Sequence, residues 1–144
     1  MQMPDVNVLI YAHRSEDPNH AFYRAWMERL VNSPEPFALS ALVAVAFVRI
    51  VTHPSFRPLP TPLRQALAAI DAFRMMPNCR FLAGGRRHWE LMRGLCEKSG
   101  ATGKRVADAQ HAAVAMEHGC TWVTRDADFR DFQSAGLRLE MLEA

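Results

Sequence analysis

The chain has 144 residues, of which 49% are hydrophobic and 22% charged, with a formal net charge of +2. That balance excludes an intrinsically disordered chain, and the mild positive charge permits a nucleic-acid partner without demanding one. Cys79, Cys96 and Cys120 stand far apart with no CxxC spacing, which points to reduced thiols and a cytoplasmic setting. Asp5 and Asn7 interrupt the early apolar run and no basic segment precedes them, so no signal peptide is expected. No stretch approaches the ~20 apolar residues of a membrane span.

In chain order, residues 1–4 predict a very short strand, and Asp5 is a ready N-cap for a helix beginning there. Residues 18–32 have an amphipathic helical spacing through Phe22, Trp26 and Leu30, and NSPEP at 32–36 is a loop. Residues 37–39 predict a second strand and Ser40 a second N-cap. The run ALVAVAFVRIV at 41–51 is apolar nearly all round, which predicts a buried central helix whose lone charge is Arg49.

A proline-rich loop over 52–62 leads to a helix over 63–76 with Leu67, Ile70 and Phe73 inward. Residues 79–82 predict a third strand, and 86–99 a helix with Trp89, Met92 and Leu95 on one face. The helix from Val106 buries Ala109, Ala112, Ala113 and Met116, and Gly119 stops it. A fourth strand over 120–123, a helical turn over 126–132 and a last strand over 137–141 complete the chain. Strands alternating with helices imply an α/β domain with a short, mainly parallel sheet, and no linker or repeat divides residues 1–144.

Ligands of open parallel sheets bind outside the carboxyl ends of the strands. Asp5 and Asp126 each follow a strand, and Asp108 lies near the start of a helix. Carboxylates held together raise one another's pKa, a cost that a divalent cation removes, and an all-oxygen site suits Mg2+ or Mn2+. The commoner task of any one such aspartate is to cap a helix.

PDVNVLIYA at 4–12, FVRIVTHP at 47–54, VADAQHAAVA at 106–115 and WVTRDADF at 122–129 together resemble the PIN-domain family. Within it, they are similar to the VapC toxins of bacterial VapBC toxin–antitoxin pairs. The resemblance covers nearly the whole chain, with the four motifs in order. It implies a three-layer domain and a Mg2+- or Mn2+-dependent endoribonuclease that cuts structured RNA, transfer or ribosomal, with metal-activated water. A VapB-like antitoxin would hold it inactive, seated along residues 21–42, and the toxin would be a homodimer. Asp5, Asp108 and Asp126 then match acidic metal ligands. Asn7 and Thr124 match polar residues that orient water or phosphate, and Asp128 a supporting acid.

One acid of that family pattern is missing: Ala41 stands at the vacant acidic position, straight after Ser40. Ala41 implies a residue replaced so that a toxic nuclease can be produced, a naturally weak or inactive enzyme, or a site in which three acids suffice. The alternative function is a catalytically dead PIN-fold module that binds RNA or a protein. Arg49 has two readings, a phosphate or carboxylate contact beside the site and a structural ion pair within its helix. Arg86 and Arg87, with Lys104 and Arg105, are candidates for an RNA-binding rim. The six histidines form no HExxH or HxxxH pair, which argues against zinc.

Overall fold

The computed structural model describes residues 1–143, so Ala144 lies outside the described residues. Five strands form one sheet: β1 (Gln2–Pro4), β2 (Phe37–Ser40), β3 (Cys79–Leu82), β4 (Thr121–Thr124) and β5 (Arg138–Met141). Every neighbouring pair is parallel, in the order β3-β2-β1-β4-β5. The helices are α1 (Val6–His13), α2 (His20–Asn32), α3 (Ala41–Val51), α4 (Leu63–Arg74), α5 (His88–Ser99) and α6 (Lys104–Glu117), with a 3-10 helix over Ala127–Ala135.

Parallel neighbours need crossover connections, and right-handed crossovers fix which face each helix covers. The chain moves from β1 outward to β2 and β3, which puts α1–α4 on one face. It then returns across the sheet to β4 and β5, which puts α5, α6 and the 3-10 helix on the other. Packing agrees: α1 lies against α2 and α3, α3 against α4, and α5, α6 and the 3-10 helix against one another. The result is the expected three-layer α/β arrangement. Met3, Phe37, Leu39, Trp122 and Val123 from the strands, Phe47 from α3 and Phe129 from the 3-10 helix are all but fully buried in its core.

Helix α6 is built to approach the sheet closely. Ala109, Ala112, Ala113 and Ala115 are fully buried, so methyl groups are all that separate its backbone from its neighbours. Only residues 118–120 separate α6 from β4, so the helix runs antiparallel to that strand and returns directly into it. Asp108 precedes the end of α6 by nine residues, about 14 Å of helix, while β4 climbs back about 10 Å. Asp108 is thereby brought level with the carboxyl end of β4.

Three expectations about burial are corrected. Val45 is 69% exposed, so α3 is covered by α1 and α4 on its inner side and open on its outer one. Leu67 is 47% and Trp89 66% exposed, because the outer faces of α4 and α5 meet no further layer. Ser40 occupies the N-cap position of α3 but makes no capping hydrogen bond.

The alanine face of α6 leaves no room for growth. Ala113→Leu is expected to lower unfolding free energy by about 1–3 kcal/mol through overpacking, read from the urea midpoint at unchanged slope.

Candidate functional site

Strands β1 and β4 lie side by side although the chain leaves them for opposite faces, and the carboxyl ends at such a switch point are where open α/β sheets form their ligand crevice. Asp5 follows β1. Its backbone N–H continues the pairing by donating to the Val123 carbonyl at 2.8 Å, and its carboxylate caps α1 by accepting from the Val6 N–H at 2.6 Å.

Thr124, the last residue of β4 and fully buried, is the hub of the polar network. Its hydroxyl donates to Asp5 Oδ2 at 2.7 Å and accepts from Asn7 Nδ2 at 3.1 Å and from the Asp126 N–H at 3.0 Å. The Asn7 amide also donates to Asp5 Oδ2 at 3.2 Å. Asp126 in turn caps the 3-10 helix by accepting from the Asp128 N–H at 2.9 Å. The TRDAD turn thus folds back on itself, and the carboxylates of Asp108, Asp126 and Asp128 each offer an oxygen within 4.8 Å of the others.

Asp5 lies outside that trio but feels it. Burial, opposed by the Thr124 hydroxyl and the Val6 N–H and reinforced by the charges of Asp126 and Asp108, raises its pKa from 3.8 to about 6. His111, one turn along α6 from Asp108, is stacked on Trp122, and burial holds its pKa below the usual value against the pull of Asp108.

Two cations meet the acids. Arg105 donates to Asp108 Oδ2 at 3.1 Å and to Asp131 Oδ2 at 3.0 Å while its guanidinium covers the Phe132 ring. Lys104 Nζ lies 3.5 Å from Asp108 Oδ2 and 3.5 Å from Asp126 Oδ2. Partial desolvation opposes the charge on Lys104, but Asp108 and Asp126 outweigh it and raise its pKa. Both residues are candidates for an RNA-binding rim, with solvated surface charge the commoner role for each, and both meet carboxylates of the site. Their spacing of three and four residues from Asp108 on one helix was the available signal.

Arg86 and Arg87 are not beside them. The backbone N–H groups of Gly85 and Arg87 donate to Glu117, thirteen residues along α6 from Lys104, about 20 Å away. Among the described residues, Arg49 makes neither the structural ion pair nor the contact with a site carboxylate. It is exposed in the last turn of α3, about 12 Å along the helix from Ala41, and makes no ion pair among the described residues. Ala41 opens α3 at the carboxyl end of β2, half-buried and without a polar side chain.

The donor set suits a divalent cation: all the ligand atoms on offer are carboxylate or hydroxyl oxygens, and the carboxylates repel one another without a counter-charge. Ser40 strengthens the fit. From the register Gln2↔Phe37, it stands level with Asp5 on the neighbouring strand, and its buried Oγ has no hydrogen-bond partner.

The sequence profile of the PIN domain matches residues 3–134. The chain belongs to the PIN-domain family. Within it, this PIN domain belongs with the VapC proteins. It is 38% identical over 134 residues to ribonuclease VapC25 of Mycobacterium tuberculosis, covering 93% of this chain and 94% of that one. It is 41% identical over 129 residues to ribonuclease VapC43 of the same organism, covering 90% and 88%. Among solved structures, VapBC2 of Rickettsia felis bound to a promoter DNA fragment superposes with a TM-score of 0.68 at 19% identity, covering 99% and 98%. That likeness confirms the PIN fold.

The raised carboxyl of Asp5 makes this PIN domain's stability depend on pH. The folded state binds that proton more tightly than the unfolded chain, so the contribution is full below about pH 4 and lost as pH rises through about 6. In chelator, Asp5→Asn should gain on the wild type by up to about 3 kcal/mol between pH 4 and pH 7. A difference that stays constant across that range in urea titrations would mean that the carboxylate is solvated.

Proposed function

We propose that this chain is the toxin of a VapBC-type toxin–antitoxin pair, a divalent-metal-dependent endoribonuclease whose ion is Mg2+ or Mn2+. The observation that carries the reading is the meeting of Asp108, Asp126 and Asp128 at the crevice between β1 and β4, with Asp5 beside them. Membership of the VapC branch supports RNA as substrate, since the relatives are named ribonucleases. The solved VapBC2 assembly supports a VapB-like antitoxin as partner. The substrate is a structured transfer or ribosomal RNA, and the working form is a homodimer in the cytoplasm. Among the described residues no helix is long and apolar enough to cross a membrane.

In this reading Asp108 and Asp126 hold the ion, with Asp5 as a third ligand and Asp128 in support. A bound ion supplies Lewis-acid chemistry, polarising the phosphodiester and acidifying the attacking water. The chain's own residues set the geometry. Thr124 and Asn7 fix the Asp5 carboxylate, and Thr124 ties the backbone of Asp126 to the same point. Arg105, three residues before Asp108 on α6, orients its carboxylate and is itself anchored by Asp131. Ala41 leaves the α3 side of the crevice without an acid, which favours the second reading, a PIN-fold module that binds RNA or protein without cutting.

Purified protein in Mn2+ or Mg2+ should cleave RNA and leave DNA of matched sequence intact. Asp108→Asn and Asp126→Asn should each lower the cleavage rate by at least about 100-fold and abolish the rise in melting temperature that Mn2+ gives the wild type. RNA binding without cleavage, in a protein that Mn2+ stabilises, would decide for the second reading.

A further inference from the structure

Lys104 and Arg105 are neighbours in the first turn of α6, yet the acids hold them differently. Arg105 is pinned at three points, by Asp108, by Asp131 and by the Phe132 ring, and its side chain is 24% exposed. The Lys104 side chain is 70% exposed and touches the acids only through its ammonium, at 3.5 Å from one oxygen of Asp108 and one of Asp126. That separation is an ion pair without a short hydrogen bond, at the end of a flexible four-carbon stem. Arg105 is therefore part of the frame, while Lys104 is held by charge and is free to leave.

The oxygens that Lys104 bridges belong to two of the three carboxylates that converge in the crevice. An ammonium and a divalent ion drawn to the same two carboxylates repel each other at that range, so each weakens the other's hold on them. We propose that Lys104 is the resident counter-cation of this site: it bridges Asp108 and Asp126 in the metal-free protein and competes with the divalent ion for them, so that its charge sets the metal affinity. The proposal rests on the reading of those two acids as metal ligands. It makes Lys104 a positioning residue, since it acts through the carboxylates. It also explains how the acids stay together before an ion arrives.

The test is calorimetric titration of Mn2+ into the wild type, Lys104→Met, Lys104→Gln and Lys104→Arg at pH 7.5 and low salt, with melting temperatures in chelator alongside. Met and Gln keep much of the stem and remove the charge. Both should bind Mn2+ roughly three- to tenfold more tightly than the wild type, and melt slightly lower in chelator, as expected for loss of exposed ion pairs. Lys104→Arg keeps the charge and should bind like the wild type. Added salt should narrow the differences by screening. Equal or weaker binding by the Met and Gln variants, with the wild type still binding, overturns this inference alone. If no protein binds Mn2+, the metal reading falls and takes the inference with it.

Discussion

Several carboxylates confined to one crevice at the end of a sheet repel one another, and the fold around them is arranged to hold them there. β1 and β4 are hydrogen-bonded neighbours, so Asp5 and Asp126 emerge side by side. The Thr124 hydroxyl ties the carboxylate of one to the backbone of the other. Helix α6 brings Asp108 to the same level because its alanine face lets it lie close before it turns back into β4. Part of the cost stays local, as the raised pKa of Asp5 records. The rest is offset by Lys104 and Arg105, whose positive charges come from the first turn of the same helix. A protein with this arrangement trades stability at neutral pH for a concentrated negative field, and that field is what a divalent cation would find.

Much of this arrangement was legible from residue order alone. Alternating apolar runs and stops gave five strands and the helices between them, most with bounds within a residue or two of those observed, and the polar residues after strands pointed to one edge. Asp108 was harder to place by sequence, since its helix follows a loop. The deciding constraint is the short connection after α6: a helix that runs at once into a parallel strand must start at that strand's carboxyl edge. The exposed faces were misjudged for a physical reason too. Apolar composition alone cannot say how many layers cover a helix, so Val45, Leu67 and Trp89 were assigned to the interior and lie outside it. The grouping of the basic residues was also beyond the sequence. Lys104, Arg105, Arg86 and Arg87 look alike in sequence, yet the antiparallel packing of α5 on α6 sends the two pairs to opposite ends of the helix layer.

The vacancy at Ala41 takes on a definite shape when set against Asp128. In the crevice, the β2 side offers only the methyl of Ala41 and the unpartnered hydroxyl of Ser40, whereas the β4 side offers Asp126 and Asp128 from one tight turn. That turn is the start of a 3-10 helix capped by Asp126, and the cap bond to the Asp128 N–H curls the chain so that the two acids lie together. Negative charge is therefore concentrated on one wall. Asp126 and Asp128 would hold an ion from that wall, and the positions left without a protein ligand would fall to water, as suits Mg2+, which dehydrates reluctantly. An open side is what a metal needs in order to accept a phosphate oxygen and a water together. In the proposed reading, an alanine at position 41 offers no ligand from the β2 side, while Asp108, Asp126 and Asp128 still converge on the other, so the absence of a carboxylate there does not by itself make the site inert.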